Sequence, residues 1–150
     1  MTVEVRNRQP RKSPGLRVDT TRLKALTIRA LELAGADAGY NLSVVLVSDK
    51  QIAALNARFH HVKGPTDILS FDYGTGVGEL IISLERARSQ ACRFHTTLAR
   101  ELALYVIHGI LHLHHHDDRT VRERRCIRAA ERRLMKCLER EMLIQDIIRQ

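Results

Sequence analysis

The chain has 150 residues, 44% of them hydrophobic and 28% charged, which fits one ordinary globular domain and excludes both a multidomain machine and a wholly disordered chain. Lys and Arg number 25 against 17 Asp and Glu, a formal net charge of +8, so a polyanion such as RNA or DNA is the first candidate partner. Aromatic residues make up only 4% and Trp is absent, which argues against a binding face built mainly from aromatic stacking.

Residues 1–15 carry two of the three prolines and read as either a flexible basic arm or a strand-like start. Leu23, Leu26, Ala30, Leu31 and Ala34 form a stripe of near-helical period over 20–34, and Gly35 is a natural stop. Residues 42–48, rich in valine, predict a buried strand. Asp49 can cap a short helix through Asn56. Residues 60–66 read as a loop around Gly64-Pro65. Two strands follow, 68–71 and 79–83, on either side of turn residues 72–78. Ser83 can cap a helix to about Arg93, and Thr97 begins a strongly apolar helix through Leu113. Thr120 with Glu123 makes a capping box for a final amphipathic helix. The expected class is mixed α/β with a small sheet.

The charge is unevenly placed. Residues 1–17 hold five basic groups and one acid, 119–150 hold ten and five, and the middle is nearly neutral. Cys92, Cys126 and Cys137 lie too far apart for a CxxC pair. With no apolar signal region at the N-terminus, they read as free thiols in a reducing cytoplasm. No apolar run approaches the ~20 residues that span a bilayer, so no membrane is expected.

Five of the eight histidines fall between His108 and His116, and Asp117 and Asp118 follow at once. Imidazole and carboxylate suit zinc and other borderline divalent ions. His108 and His112 are four apart and share a helix face, the spacing used by HExxH hydrolases. A straight helix rises about 1.5 Å per residue. It would carry His115 and His116 too far from His108 for metal bonds of about 2 Å, so a third ligand requires the chain to turn back after His112. Asp118, His116 and Asp117 are then the candidates, and His114 reads as a bystander off the shared face. The position of the HExxH glutamate is Gly109, so this helix supplies no carboxylate base.

These residues also resemble a known family. His108-Gly109-Ile110-Leu111-His112-Leu113 is similar to the start of the HGxLHLxGYDH signature of the YbeY endoribonucleases, which are bacterial rRNA maturation factors. Leu55-Asn56 with Phe59, then Pro65-Thr66-Asp67-Ile68-Leu69-Ser70-Phe71, resembles LNxxYR and PTDVLSF. Gly78-Glu79-Leu80-Ile81-Ile82-Ser83 resembles GDIxIS. The likeness covers roughly residues 42–145. His115 and His116 replace the Gly and Tyr of the HGxLHLxGYDH signature, and three further departures bear on the chemistry. Asp118 stands where the family has its third metal histidine, His60 where it has an arginine, and Glu79 where it has an aspartate.

The resemblance implies a single zincin-like α/β domain over 1–150, with a metal helix packed on a mixed sheet. It implies a metal-dependent, single-strand-selective endoribonuclease acting in small-subunit rRNA 3′-end maturation and ribosome quality control. Its partners would be rRNA and the small subunit or its associated proteins. His108, His112 and Asp118 would hold one divalent ion, zinc above all, with His116 the alternative third ligand. His60 and His108 are the catalytic candidates. Arg58, Lys63, Ser70, Arg124, Arg125 and Arg128 are the RNA-binding candidates. A second reading is a non-catalytic RNA-binding assembly factor with a structural metal. A third, a metallohydrolase of small molecules or peptides, is disfavoured by Gly109 and the basic ends.

Overall fold

Strands that are apolar throughout need cover on both faces, and the central strand of this protein has that cover. The structure, a computed structural model, describes residues 1–10, 17–60, 67–114 and 116–149, without the His60 side chain. The elements in chain order are β1 (Thr2–Asn7), β2 (Arg17–Val18), α1 (Thr20–Leu33), β3 (Asn41–Val47) and α2 (Asp49–His60). They continue with β4 (Ile68–Gly74), β5 (Val77–Ser83), α3 (Leu84–Arg93), α4 (Leu98–Leu113), α5 (Val121–Arg140) and β6 (Ile148–Arg149). The main sheet has the order β1-β3-β5-β4. β1, β3 and β5 run parallel, and β4 returns antiparallel to β5 at the edge. No helix among the described residues is long and apolar enough to cross a membrane.

Alternation in β3 sends Leu42, Val44 and Leu46 into the larger core, built with α1, α4 and α5. Val45 and Val47 pack in a smaller cluster with Ile52 and Leu55 of α2, Leu69 and Phe71 of β4, and Ile81. α4 is apolar nearly all round and lies in the middle of the larger core, with Leu102, Val106, Ile107, Ile110 and Leu111 buried. Gly109 is what lets it sit so close to the sheet. A Cβ there would lie 2.6 Å from Leu80 Cδ2 and 2.7 Å from Ile68 Cδ1. A glutamate at this position would be driven into the core, which accounts physically for the missing HExxH carboxylate.

Several local expectations hold. Ser83 and Thr97 cap α3 and α4, each accepting from the backbone N–H three residues on. Thr120 and Glu123 form the capping box of α5. α1 ends as expected near Gly35, which adopts φ +79°.

Others need correction. Ser48, not Asp49, caps α2: its hydroxyl accepts from the Gln51 N–H, and the Gln51 side chain accepts from the Ser48 N–H. Asp49 instead accepts the Ser83 hydroxyl at 2.5 Å. The helix runs on to His60 rather than stopping at Asn56. The broad turn expected over 72–78 is a tight hairpin. Gly74 pairs with Val77, and Thr75 and Gly76 both have positive φ. Residues 2–7 are a sheet strand rather than a flexible arm, because β3 offers them a parallel edge. β2 and β6 pair with each other; two-residue strands are too short to show a period.

Candidate metal centre

α4 ends at Leu113, and His114 caps it, its N–H donating to the carbonyls of Ile110 and Leu111. The His116 N–H donates back to Leu111 at 3.0 Å, so the chain turns just after His112. Arg124 holds this turn by donating from Nη1 to the carbonyls of Asp118 and Arg119 at 3.1 and 3.2 Å. The turn brings Asp118 back over the histidine pair. His108 Nε2 and His112 Nε2 are 2.9 Å apart, and Asp118 Oδ2 is 3.8 Å from His112 Nε2. One donor atom from each of the three residues lies within 4.8 Å of the others.

The donor set fits a divalent ion. Ligands at about 2 Å from one zinc lie a little over 3 Å apart, within the spacing seen here. His112 is available as a lone pair. Burial first, then the neighbouring His108, pushes it below the ordinary imidazole value of 6.5, against the opposing pull of Asp118, Glu131 and Asp117. Metal ligation needs the neutral ring.

Sequence reasoning missed Glu131. It lies on α5 in the stripe Ile127, Glu131, Leu134, Leu138, whose other three members are buried. Its carboxylate Oε1 meets Nδ1 of His108 and is the acceptor for that ring N–H. Its side chain is 16% exposed. With Nδ1 protonated, the Nε2 lone pair is left free to bind an ion, the arrangement a carboxylate behind a metal histidine gives. The signal in the sequence was a lone acid at an inward position of an otherwise apolar stripe.

The other candidates fall in several places. His114 turns away from the centre: Nδ1 contacts the Ile110 carbonyl at 2.8 Å and the ring lies 4.8 Å from Tyr40. Ser70 is half-buried on β4, two residues from Ile68 and so on the sheet face that carries α4. Arg125 and Arg128 are exposed on α5. Arg124 is the exception among the α5 arginines, since it is engaged with the turn. Arg58 is exposed on α2, with its guanidinium carbon 5.3 Å from the centre of the Phe59 ring. Lys63 and the side chain of His60 lie outside the described residues. Glu79 accepts a hydrogen bond from the Tyr73 hydroxyl at 2.9 Å.

Two histidines and a carboxylate at the end of a buried helix, in an α/β domain, define a class of metal-binding proteins whose donors suit hydrolysis. A family model described as Endoribonuclease YbeY matches residues 5–139, and the chain belongs to that family. An Endoribonuclease YbeY from Symbiobacterium thermophilum is 39% identical over 113 residues, 65% of this chain and 72% of that protein. One from Carboxydothermus hydrogenoformans is 34% identical over 128 residues, 81% of this chain and 89% of that protein. A solution structure of a Thermotoga maritima protein shares the fold, with a TM-score of 0.66 at 24% identity over 94% of this chain and 91% of the other.

Proposed function

We propose that this chain, acting as one domain, is a zinc-dependent endoribonuclease of single-stranded RNA, working in the cytoplasm on the 3′ end of small-subunit rRNA. The observation that carries the reading is the convergence of His108, His112 and Asp118 in a chain of this family. A divalent ion held there supplies Lewis-acid polarisation of a phosphate oxygen and a lowered pKa for water.

The rest is the work of the protein. His112 stays neutral through burial and keeps its lone pair free. Glu131 holds the His108 proton on Nδ1 and so directs Nε2 to the ion. Asp118 in place of a third histidine adds one negative charge, which moderates the electrophilicity of the centre. His60 and Lys63 steady the charge that develops on the phosphate, His60 only when protonated, and Arg58 contacts the RNA backbone. Ser70 contacts the substrate from the α4 side of β4. Arg125 and Arg128 track the RNA backbone as salt-sensitive phosphate contacts. Arg124 keeps the Asp118 turn in shape.

The test is cleavage of a labelled single-stranded RNA by tag-free protein, with and without chelator, beside a His112→Ala protein prepared identically. Loss of cleavage with chelator and in the variant is the expected result. Equal cleavage by both proteins reports a contaminating nuclease, and chelator-sensitive cleavage that persists in repurified His112→Ala protein overturns the assignment of the site. Absent cleavage with RNA still bound favours an assembly factor with a structural metal.

A further inference from the structure

Only six aromatic residues occur in the chain, three Phe and three Tyr. Tyr40 and Tyr105 are buried. Of the remaining four, three gather on one sheet face, the one opposite α4. Phe71 and Tyr73 follow each other along β4 with rings 6.3 Å apart and planes 16° from parallel. Phe59, at the end of α2, stands edge-on to Phe71 at 5.7 Å. Phe59 is 53% exposed and Tyr73 60%, so ring surface faces solvent both at the end of α2 and on the edge strand β4.

The surroundings are polar and cationic. Arg58 lies over the Phe59 ring. Glu79 fixes the Tyr73 hydroxyl. From Glu79 and Ile81 a cleft of about 480 Å³ runs across the sheet beside Gln51 to Arg6 of β1 and Arg8 just beyond that strand. The two acids on this face are engaged, Glu79 by Tyr73 and Glu4 by Arg6.

We infer that Phe59, Phe71 and Tyr73 form a base-stacking platform for the single-stranded RNA substrate, with Arg58 and the Arg6–Arg8 end of the cleft taking the flanking phosphates. Stacking on an aromatic ring works for every base and needs an unpaired strand. Neighbouring aromatics on a sheet surface are an established geometry for it; here α2 covers the inner part of the face, and its Phe59 adds the third ring beside the β4 pair. β4 links the platform to the chemistry. Ile68 and Ser70 face the α4 side, and Phe71 and Tyr73 the other. A strand held on the platform therefore reaches the metal centre by passing over the edge of the sheet. Duplex RNA cannot unstack to do so, which gives a physical source for single-strand selectivity. The inference rests on the proposed RNA substrate.

The experiment measures binding, not cleavage. Anisotropy of a labelled oligouridine and of an abasic oligomer of equal length would be followed at fixed salt with chelator present. The proteins would be wild type, Tyr73→Ala, Phe59→Ala, Tyr73→Phe and Phe94→Ala. Phe94, 60% exposed with Arg93 over its ring, is an aromatic–arginine pair away from this face. Tyr73→Ala and Phe59→Ala should each weaken oligouridine binding roughly 5- to 150-fold, the range for one stacked base. They should leave abasic binding unchanged. Tyr73→Phe and Phe94→Ala should bind as wild type. Equal oligouridine affinity in all variants, or equal losses on the abasic oligomer, overturns the platform. Failure of wild type to bind either oligomer overturns both the platform and the RNA reading. Normal platform behaviour in a protein that never cleaves leaves the platform standing and removes the nuclease.

Discussion

Glu131 is the sharpest test of how the centre is built, because it hydrogen-bonds His108 from behind and is not itself one of the three donors. In Glu131→Gln the amide oxygen still accepts from Nδ1–H, so the ring keeps its tautomer, but charge assistance is gone. A charged hydrogen bond contributes about 1.5–3 kcal/mol and a neutral one about 0.5–1.5. The difference, about 1–1.5 kcal/mol, is roughly a tenfold loss of metal affinity. Glu131→Ala removes the acceptor and releases the ring, and the loss should approach the ~100-fold upper end for such partners. The contact is largely shielded, with Glu131 16% exposed, so solvent screening does not erase the effect. Competition against a chromogenic zinc chelator gives the affinity, and thermal melting without metal gives the fold. A graded loss, wild type over Gln over Ala, with near-equal metal-free melting is the expected outcome. Metal affinity within twofold of wild type in Glu131→Ala would refute the orienting role. A fall confined to metal-free melting would mean that the residue only braces α4 against α5.

Three further outcomes follow from the same geometry. Gly109→Ala gains about 1 kcal/mol of helix propensity but forces Leu80 and Ile68 aside, an overpacking cost of about 1–3 kcal/mol. A net loss of about 1 kcal/mol should lower Tm by about 2–4 °C for a domain of this size, and a raised Tm in calorimetry would contradict the close seating of α4. The His112 pKa is lowered in the folded state, so its contribution to stability is full above the unfolded value near 6.5 and is lost as pH falls through the folded value. Denaturant titrations of metal-free protein should show that acid-side decline, and His112→Gln should flatten it. Replacing Arg125 and Arg128 together by Ala should weaken RNA binding and reduce the slope of log K against log salt by about 0.7 for each phosphate that is no longer neutralised. An unchanged slope would take these two arginines off the RNA path.

What the sequence determined by itself was local. The caps at Ser83, Thr97 and Thr120 were legible because a capping hydroxyl and its helix lie within a few residues of each other. The helix face shared by His108 and His112 was legible because 3.6-residue periodicity is a property of the chain alone. Family motifs carried Asp118 into the reading by position in a signature. The tertiary structure decided whatever depends on residues distant in sequence. Only packing of α5 on α4 brings Glu131 to His108, 23 residues away. Only the seat of Gly109 on Leu80 and Ile68 shows why no glutamate stands there. Aromatic content shows the same division. Composition counts side chains, whereas a binding face depends on where they meet, and the pairing of β4 with the end of α2 collects Phe59, Phe71 and Tyr73 in one place. A strand's alternation can be read from its residues; how much of each face stays open to solvent is set by the helices that pack on it.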